Sequence, residues 1–138
     1  MGAFVVNGSG HWAKIVCECG ISSPPTRRVE APEIKSGLKA QWDTGATVTC
    51  VSESVVEELH LHKSGVTTIM GIDGKPRQVN TYMINIYLPD EVSVCYIEAA
   101  CVTMPIIDVL IGMDVISDCD FHYTIKDGKS SFRVETFV

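Results

Sequence analysis

The chain has 138 residues, of which 46% are hydrophobic and 20% charged, and its formal net charge is −6. This composition is typical of one globular domain and excludes a largely disordered chain. The negative charge disfavours nucleic acid or an anionic membrane as a partner. No apolar run approaches the roughly 20 residues of a membrane-spanning helix, so no membrane segment is expected.

Residues 1–11 contain no basic segment followed by an apolar run, which disfavours a signal peptide. Because Gly8-Ser9-Gly10 resembles a linker, we expect residues 1–11 to be an N-terminal extension or an expression remnant. One domain is then expected over residues 12–138. The six cysteines match no zinc-binding spacing and indicate small buried thiols in a reducing, cytoplasmic compartment, while a disulfide or metal role stays open. We expect no metal and no cofactor.

The first half of the chain contains three strand signals. Apolar and β-branched residues predict strands at Trp12–Ile21, Leu38–Trp42 and Thr47–Val51. The proline-containing stretch Ser22–Ser36 between the first two indicates a long loop. The apolar period changes over Ser52–Leu61, which predicts a short helix capped by Ser52 or Ser54.

The second half is also rich in β signals. Val66–Leu88 is predicted to form a long hairpin with a type I′ turn at Asp73-Gly74, because Asp-Gly suits two consecutive positive φ angles. Further predicted elements are strands at Val92–Met104 and Asp108–Ile111, a helical turn at Met113–Ser117, and a final hairpin that joins Phe121–Lys126 to Ser130–Phe137 through Asp127-Gly128. The predicted class is mostly β with one or two short helices.

One short motif in this framework has catalytic potential. Asp43-Thr44-Gly45-Ala46 follows an apolar strand, and Ile111-Gly112 ends a later one. Between them lie the helix and a hairpin with a glycine-containing tip. A bare Asp-Thr-Gly is common by chance, but this order of elements resembles that of the retropepsins, the retroviral-type aspartic peptidases. The segment Trp42–Ser52 is similar to cellular and bacterial members of that class.

The resemblance implies a single-lobe, closed β-barrel-like acid-protease fold and hydrolysis of a peptide or protein substrate. Two carboxylates about 3 Å apart cannot both ionise, so they share a proton. One then acts as a base towards water while the other protonates the substrate carbonyl. This chain contains a single Asp-Thr-Gly. A second copy must therefore supply the other carboxylate, which predicts a homodimeric aspartic endopeptidase.

The resemblance also assigns roles to further positions. Thr44 would hydrogen-bond across to the partner loop, Gly45 would permit a sharp turn, and Gly112 would leave room beneath the catalytic loop. The implied site residues are Asp43 as the catalytic group; Thr44, Gly45, Ala46, Ile111 and Gly112 as support of the catalytic loop; Gly71, Ile72, Asp73, Gly74 and Lys75 as the flap tip, within a flap at Ile69–Gln78; and Ile106, Ile107, Asp108 and Leu110 as the substrate pocket.

The chain departs from the viral pattern at several positions. Thr47 and Met113 stand where viral enzymes often place a paired aspartate and arginine, so we expect Asp114 to hydrogen-bond with Thr47 or Thr49 instead. Asp73 and Asp108 introduce charge where viral enzymes are neutral, which favours substrates with basic or polar residues.

Two points about assembly and activity complete the expectations. The β-rich segment Ser131–Val138 is a candidate for strand pairing between subunits. A catalytically inactive dimerisation or peptide-binding module with the same fold stays open as the alternative function.

Overall fold

Ten strands and two short helices make up the described part of the computed structural model, which covers residues 2–10, 12–26, 31–71 and 73–136. The strands are β1 (Ala3–Ser9), β2 (Ile15–Ser22), β3 (Lys35–Trp42), β4 (Cys50–Ser52), β5 (Lys63–Met70), β6 (Pro76–Tyr87), β7 (Ser93–Val102), β8 (Val109–Ile111), β9 (Cys119–Lys126) and β10 (Lys129–Thr136). The helices are α1 (Glu53–Glu58) and α2 (Met113–Ile116). The predicted mostly β class is confirmed.

Seven of the strands form one sheet in the order β2-β3-β8-β4-β7-β6-β5. β2 also pairs with β6, with Ile21 opposite Ile86, so the sheet closes on itself. Side chains on the inner face of this barrel are fully buried, among them Ile21, Val51, Ile84, Ile86 and Val109. The predicted barrel-like closure is therefore confirmed.

The short strand β8 brings the two halves of the predicted motif, Asp43–Ala46 and Ile111-Gly112, together. It runs parallel to β3, with Trp42 opposite Ile111, and antiparallel to β4. Because parallel strands end at the same edge of a sheet, the loop after Trp42 and the glycine after Ile111 leave the barrel side by side. The predicted strand Thr47–Val51 is shorter than expected, since β4 begins only at Cys50.

Residues near the N-terminus belong to a second sheet with the order β1-β10-β9. β1 pairs antiparallel with β10, from Ala3 opposite Glu135 to Ser9 opposite Lys129, and Phe4 is buried. The expectation that residues 1–11 form a linker-like extension is therefore wrong for Ala3–Ser9. Gly8 and Ser9 are strand residues because the pairing with β10 satisfies their backbone groups.

The same sheet also corrects the expectation for the C-terminal segment. β10 lies between β1 and β9 and is paired along both edges within one chain. Its residues Ser131–Thr136 have no open edge for a strand of another subunit, because each strand has only two hydrogen-bonding edges. Residues 137–138 of the proposed pairing segment lie outside the described residues.

An aromatic cluster joins the two sheets directly beneath Asp43. The ring of Trp42, at the end of β3, lies 6.1 Å from that of Phe4, 5.8 Å from Phe121 and 5.5 Å from Phe132, measured between centroids. Its indole N–H donates to the Cys17 Sγ at 3.4 Å. Trp42 is buried and its indole N–H is hydrogen-bonded, so it anchors the backbone at the position from which Asp43 follows.

The two Asp-Gly sequences form different turns. At Asp127-Gly128 both φ angles are positive, 53° and 70°, which confirms the predicted two-residue hairpin. At the flap, Gly74 has a φ of 75°, but the hydrogen bonds do not close a two-residue loop. The predicted type I′ turn at Asp73-Gly74 is therefore wrong: the Gly74 N–H donates to the Gly71 carbonyl at 2.9 Å, and the Gly71 N–H donates to the Lys75 carbonyl at 3.1 Å. That pattern is a three-residue loop with the glycine as a bulge.

Helix α1 begins where the sequence indicates. Of the two predicted caps, Ser52 is the one used, because its hydroxyl accepts a hydrogen bond from the Val55 N–H at 3.4 Å. Val55 is fully buried against the barrel. Among the described residues, no helix has the length and apolarity needed to span a membrane.

All six cysteines are free thiols. Cys17 and Cys19 are buried as expected, whereas Cys95 is exposed. Burial raises the pKa of the Cys19 thiol to about 12, so this side chain is neutral at physiological pH and packs as a small apolar group.

Candidate active site

Asp43 occupies the first position after β3, where the barrel ends. Its backbone N–H donates to the Ile111 carbonyl at 2.9 Å, which extends the parallel pairing of β3 and β8 by one residue. Ile111 is fully buried, and Asp43 itself is half-buried. The core therefore fixes the backbone of Asp43 while the residue itself stays partly exposed.

The residues after Asp43 form a tight turn around its carboxylate. The Gly45 N–H donates to Asp43 Oδ1 at 2.8 Å, and the Ala46 N–H donates to the Asp43 carbonyl at 3.1 Å. A Cβ at Gly45 would lie 3.2 Å from the same Oδ1, so a larger residue would press on the carboxylate. No described residue donates to Oδ2. One oxygen of Asp43 is thus held in place and the other is available.

Thr44 lies at the outer point of this turn and is exposed. Its hydroxyl has no hydrogen-bond partner among the described residues of this single chain.

Gly112 packs directly against the catalytic loop, Asp43–Val48. A Cβ at Gly112 would lie 2.8 Å from the carbonyl carbon and oxygen of Val48 and 2.9 Å from the Ala46 oxygen. Real Cβ atoms do not approach a backbone this closely, so only glycine fits. The next residue, Met113, donates its N–H to the Ala46 carbonyl at 2.8 Å.

Asp114 hydrogen-bonds with Thr49, one of the two partners that the sequence predicts. Its Oδ2 accepts from the Thr49 N–H at 3.0 Å, and its Oδ1 accepts from the Thr49 hydroxyl at 2.8 Å and from the Val115 N–H at 3.0 Å. The Thr49 hydroxyl oxygen also accepts from the Gly112 N–H at 3.2 Å. Because Thr49 is fully buried, this network ties the end of the catalytic loop to α2.

The hairpin of β5 and β6 corresponds to the predicted flap. The described tip residues Gly71, Asp73, Gly74 and Lys75 hydrogen-bond with one another, and the Lys75 N–H donates to Asp73 Oδ1 at 3.0 Å. Ile72 lies outside the described residues. Met70, just before the tip, is 71% exposed. The tip therefore depends on its own turn rather than on contacts with the barrel.

The predicted pocket segment precedes β8. Ile106 is 74% exposed, whereas Ile107 and Leu110 are half-buried. Asp108 differs from these residues because its carboxylate accepts from the Lys39 N–H at 2.8 Å. Its own N–H donates to the Lys39 carbonyl at 2.9 Å, and its carbonyl accepts from the Ser52 N–H at 2.9 Å. The Asp108 side chain thus hydrogen-bonds the segment before β8 to the backbone of β3.

A cavity of about 310 Å³ lies beside the catalytic loop, with Asp43 and Thr44 in its wall. Its other walls include Trp12, Lys14 and Tyr123, which sequence reasoning did not place at the site. The rings of Trp12 and Tyr123 lie 6.0 Å apart, and Trp12 packs so closely on Gly8 that a Cβ there would come within 2.6 Å of the indole. The signals missed were the aromatic residues just before β2 and within β9, which come together only in the folded chain.

A closed barrel with an Asp-Thr-Gly loop seated on an apolar-Gly strand defines a retropepsin-like aspartic peptidase. Residues 35–118 match the model of the family described as "gag-polyprotein putative aspartyl protease", and the chain belongs to that family. A retropepsin-like aspartic protease from Rickettsia conorii has a similar solved structure, with a TM-score of 0.57 and 8% identity, over 96% of this chain and 92% of that one. At this identity the likeness concerns the fold alone. None of the curated protein sequences matches this chain.

Proposed function

We propose that this protein is an aspartic endopeptidase in which Asp43 residues of two copies form the catalytic pair. The observation that supports this most is the state of the Asp43 carboxylate. It is half-buried at the edge of the barrel, with Oδ1 fixed by the Gly45 N–H and Oδ2 without a donor among the described residues. A carboxylate held in this way is pre-oriented for proton transfer to or from a bound water.

A single carboxylate is half of the required chemistry. Hydrolysis of an amide by activated water needs a base for the water and an acid for the substrate oxygen. Two aspartates that share one proton supply both, because the first charge suppresses ionisation of the second. The chain contains a single Asp-Thr-Gly, so a two-fold axis beside Asp43 is the simplest source of the second group.

The remaining site residues support this arrangement. Exposed Thr44 leaves its hydroxyl available to the partner loop, and Gly45, Ala46, Ile111 and Gly112 would hold the catalytic loop in position. The flap tip, Gly71–Lys75, would cover an extended substrate and pair with its backbone. Ile106, Ile107 and Leu110 would form the apolar pocket; Asp108 would support that pocket through Lys39 rather than contact substrate. The six free thiols suit a reducing compartment, which favours the cytoplasm.

The decisive experiment replaces the catalytic group. Asp43→Asn keeps the shape of the side chain but removes the shared proton chemistry, so we expect cleavage of a peptide library at pH 4–7 to fall by at least ~1000-fold. Asp90→Asn is the matched control, because Asp90 is exposed in the β6–β7 turn and asparagine tolerates its positive φ of 56°. Full activity in Asp43→Asn would refute the proposal. Peptide binding without turnover in the wild-type chain would favour the inactive module instead.

Subunit mixing tests the shared site separately. An equimolar mixture of wild-type and Asp43→Asn chains, allowed to exchange, contains about one quarter wild-type homodimers by random pairing. Activity per total protein should therefore fall to about one quarter if both aspartates are needed. A fall to only one half would show that each chain works alone.

A further inference from the structure

The cavity beside the catalytic loop combines a cation, two aromatic rings and the catalytic carboxylate. Among the described residues that line it, Lys14 is the single cation and Asp43 the single acid. Lys14 forms no ion pair with any described residue. The Lys14 ammonium therefore lines the cavity without a salt-bridge partner among the described residues.

Strand register explains why Lys14 lies next to the catalytic group. β2 and β3 are antiparallel, with Ile15 opposite Trp42. Lys14 precedes Ile15 and Asp43 follows Trp42, and both residues line the cavity. A substrate residue near the scissile bond is then within reach of Lys14, because an extended chain advances only about 3.3 Å per residue.

Contacts with neighbouring strands hold the two aromatic side chains of the cavity wall in place. Trp12 packs on the backbone of Gly8 in β1, and the Tyr123 hydroxyl lies 3.2 Å from that of Ser130 in β10. These contacts fix two ring surfaces on which the methylene groups of a side chain can pack. β1, which the sequence analysis assigned to an extension, thus supports the wall of this cavity.

The acidic residues that suggested a basic substrate are engaged elsewhere. The Asp73 carboxylate accepts from the Lys75 N–H, and the Asp108 carboxylate accepts from the Lys39 N–H. Both charges are directed to the protein backbone. Lys14 is the cation that lines the cavity with Asp43, which favours an acidic substrate residue there rather than the basic or polar residues expected from the sequence.

We infer that the cavity lined by Trp12, Lys14 and Tyr123 is a substrate subsite that selects an acidic side chain, glutamate above all. The carboxylate would pair with Lys14 while its methylene groups lie against the two rings. This inference rests on the proposed peptidase function, since it names the substrate class of that same site.

Matched peptides test the subsite. In a cleavable apolar peptide, each position within three residues of the scissile bond is occupied in turn by Glu, Gln or Lys. We expect the kcat/KM of the wild-type enzyme for Glu to exceed that for Gln by roughly three- to five-fold at one position, in line with a partly exposed ion pair. The ratio should decline in 0.5 M NaCl, about the salt at which such pairs are screened.

Two substitutions at Lys14 separate selectivity from general catalysis. Lys14→Met should reduce the Glu:Gln ratio of kcat/KM to about one, and Lys14→Glu should favour the Lys peptide. Lys126→Met, an exposed lysine at the far end of β9, is the control and should keep the wild-type ratio. An equal loss for all peptides in Lys14→Met, or an unchanged Glu:Gln ratio, would overturn the subsite.

A binding measurement keeps this test independent of turnover. Glu and Gln peptides are titrated into the Asp43→Asn chain by calorimetry, with and without Lys14→Met. Tighter binding of the Glu peptide that disappears with Lys14→Met supports the subsite even if no peptide is cleaved, in which case only the peptidase proposal fails. Equal binding of the two peptides overturns the subsite.

Discussion

The catalytic loop and the flap tip are both short turns that begin near a glycine and contain an aspartate, yet they are held in opposite ways. The catalytic loop has two hydrogen bonds of its own but is also held from outside: Ile111, Met113 and Asp114 hydrogen-bond to its backbone, and Gly112 packs against it. The flap tip is fixed from within, by bonds among Gly71–Lys75. In the proposed peptidase, this difference would give a rigid catalytic floor and a lid that can open without disturbing the barrel.

Breaking the close contact beneath the catalytic loop should have the largest effect. In Gly112→Ala the added methyl group meets the Val48 carbonyl at 2.8 Å, so the loop must move away from α2. We expect a loss of about 3 kcal/mol in the free energy of unfolding and a fall of roughly 100-fold in kcat/KM, because Asp43 is displaced with the loop. Denaturant unfolding and peptide cleavage measure the two effects.

The control for this change is Gly128→Asn, at a turn glycine with open space around it and a positive φ that asparagine tolerates. It should change stability by less than about 1 kcal/mol and leave cleavage intact. If the Gly112→Ala chain were as stable and active as the control, the contact with Gly112 would not constrain the catalytic loop.

Removing the Asp114 carboxylate should have the next largest effect. In Asp114→Ala the Thr49 hydroxyl and N–H lose their acceptor inside the core, where Thr49 is fully buried. Unsatisfied buried groups cost about 1–3 kcal/mol each, so we expect a loss of about 2–3 kcal/mol in total. Activity should fall about ten-fold as the loop loosens. Asp114→Asn keeps one acceptor oxygen and should lose about half as much stability; equal losses in the two variants would contradict this account.

The sequence predicts turns and helix caps well where the conformational preference of the residues themselves determines the structure. Asp127-Gly128 forms its expected turn, and Ser52 caps its expected helix. Asp73-Gly74 has the same letters but forms a different turn, because the strand register between Gly71 and Lys75 leaves three residues in the loop rather than two. Turn type is thus decided by pairing as well as by the dipeptide.

The residues of the candidate site likewise fall into two groups, those recognisable from a local motif and those whose position depends on strand pairing. Asp43 and Gly112 could be recognised because each lies in a short motif next to an apolar strand. Lys14, Trp12 and Tyr123 could not, since their position depends on the register of β2 against β3 and on where β9 lies. The role of residues 3–9 was missed for a similar reason: the partner strand, β10, is more than 100 residues away in sequence.

The smallest effect is expected from substitution of Asp73 in the flap tip. This change can be compared directly with Asp114→Ala, since both remove a carboxylate that accepts a backbone hydrogen bond. Asp73→Ala removes one acceptor, that of the Lys75 N–H, but this tip is exposed and water can replace the lost bond. We expect the free energy of unfolding to fall by no more than about 0.5 kcal/mol. KM should rise about three-fold at nearly constant kcat, because the tip orders over substrate less readily while Asp43 is unaffected.

Steady-state kinetics beside denaturant unfolding measure both quantities, and Asp114→Ala in the same assays sets the scale. If Asp73→Ala destabilised the chain as much as Asp114→Ala, the flap would be an integral part of the barrel rather than a lid supported by its own turn. If it lowered kcat with KM unchanged, the tip would act on the reacting atoms and not on substrate capture. In the proposed peptidase the two aspartates would thus separate two kinds of support: Asp114 would act on the position of Asp43, and Asp73 on the flap tip that covers the substrate.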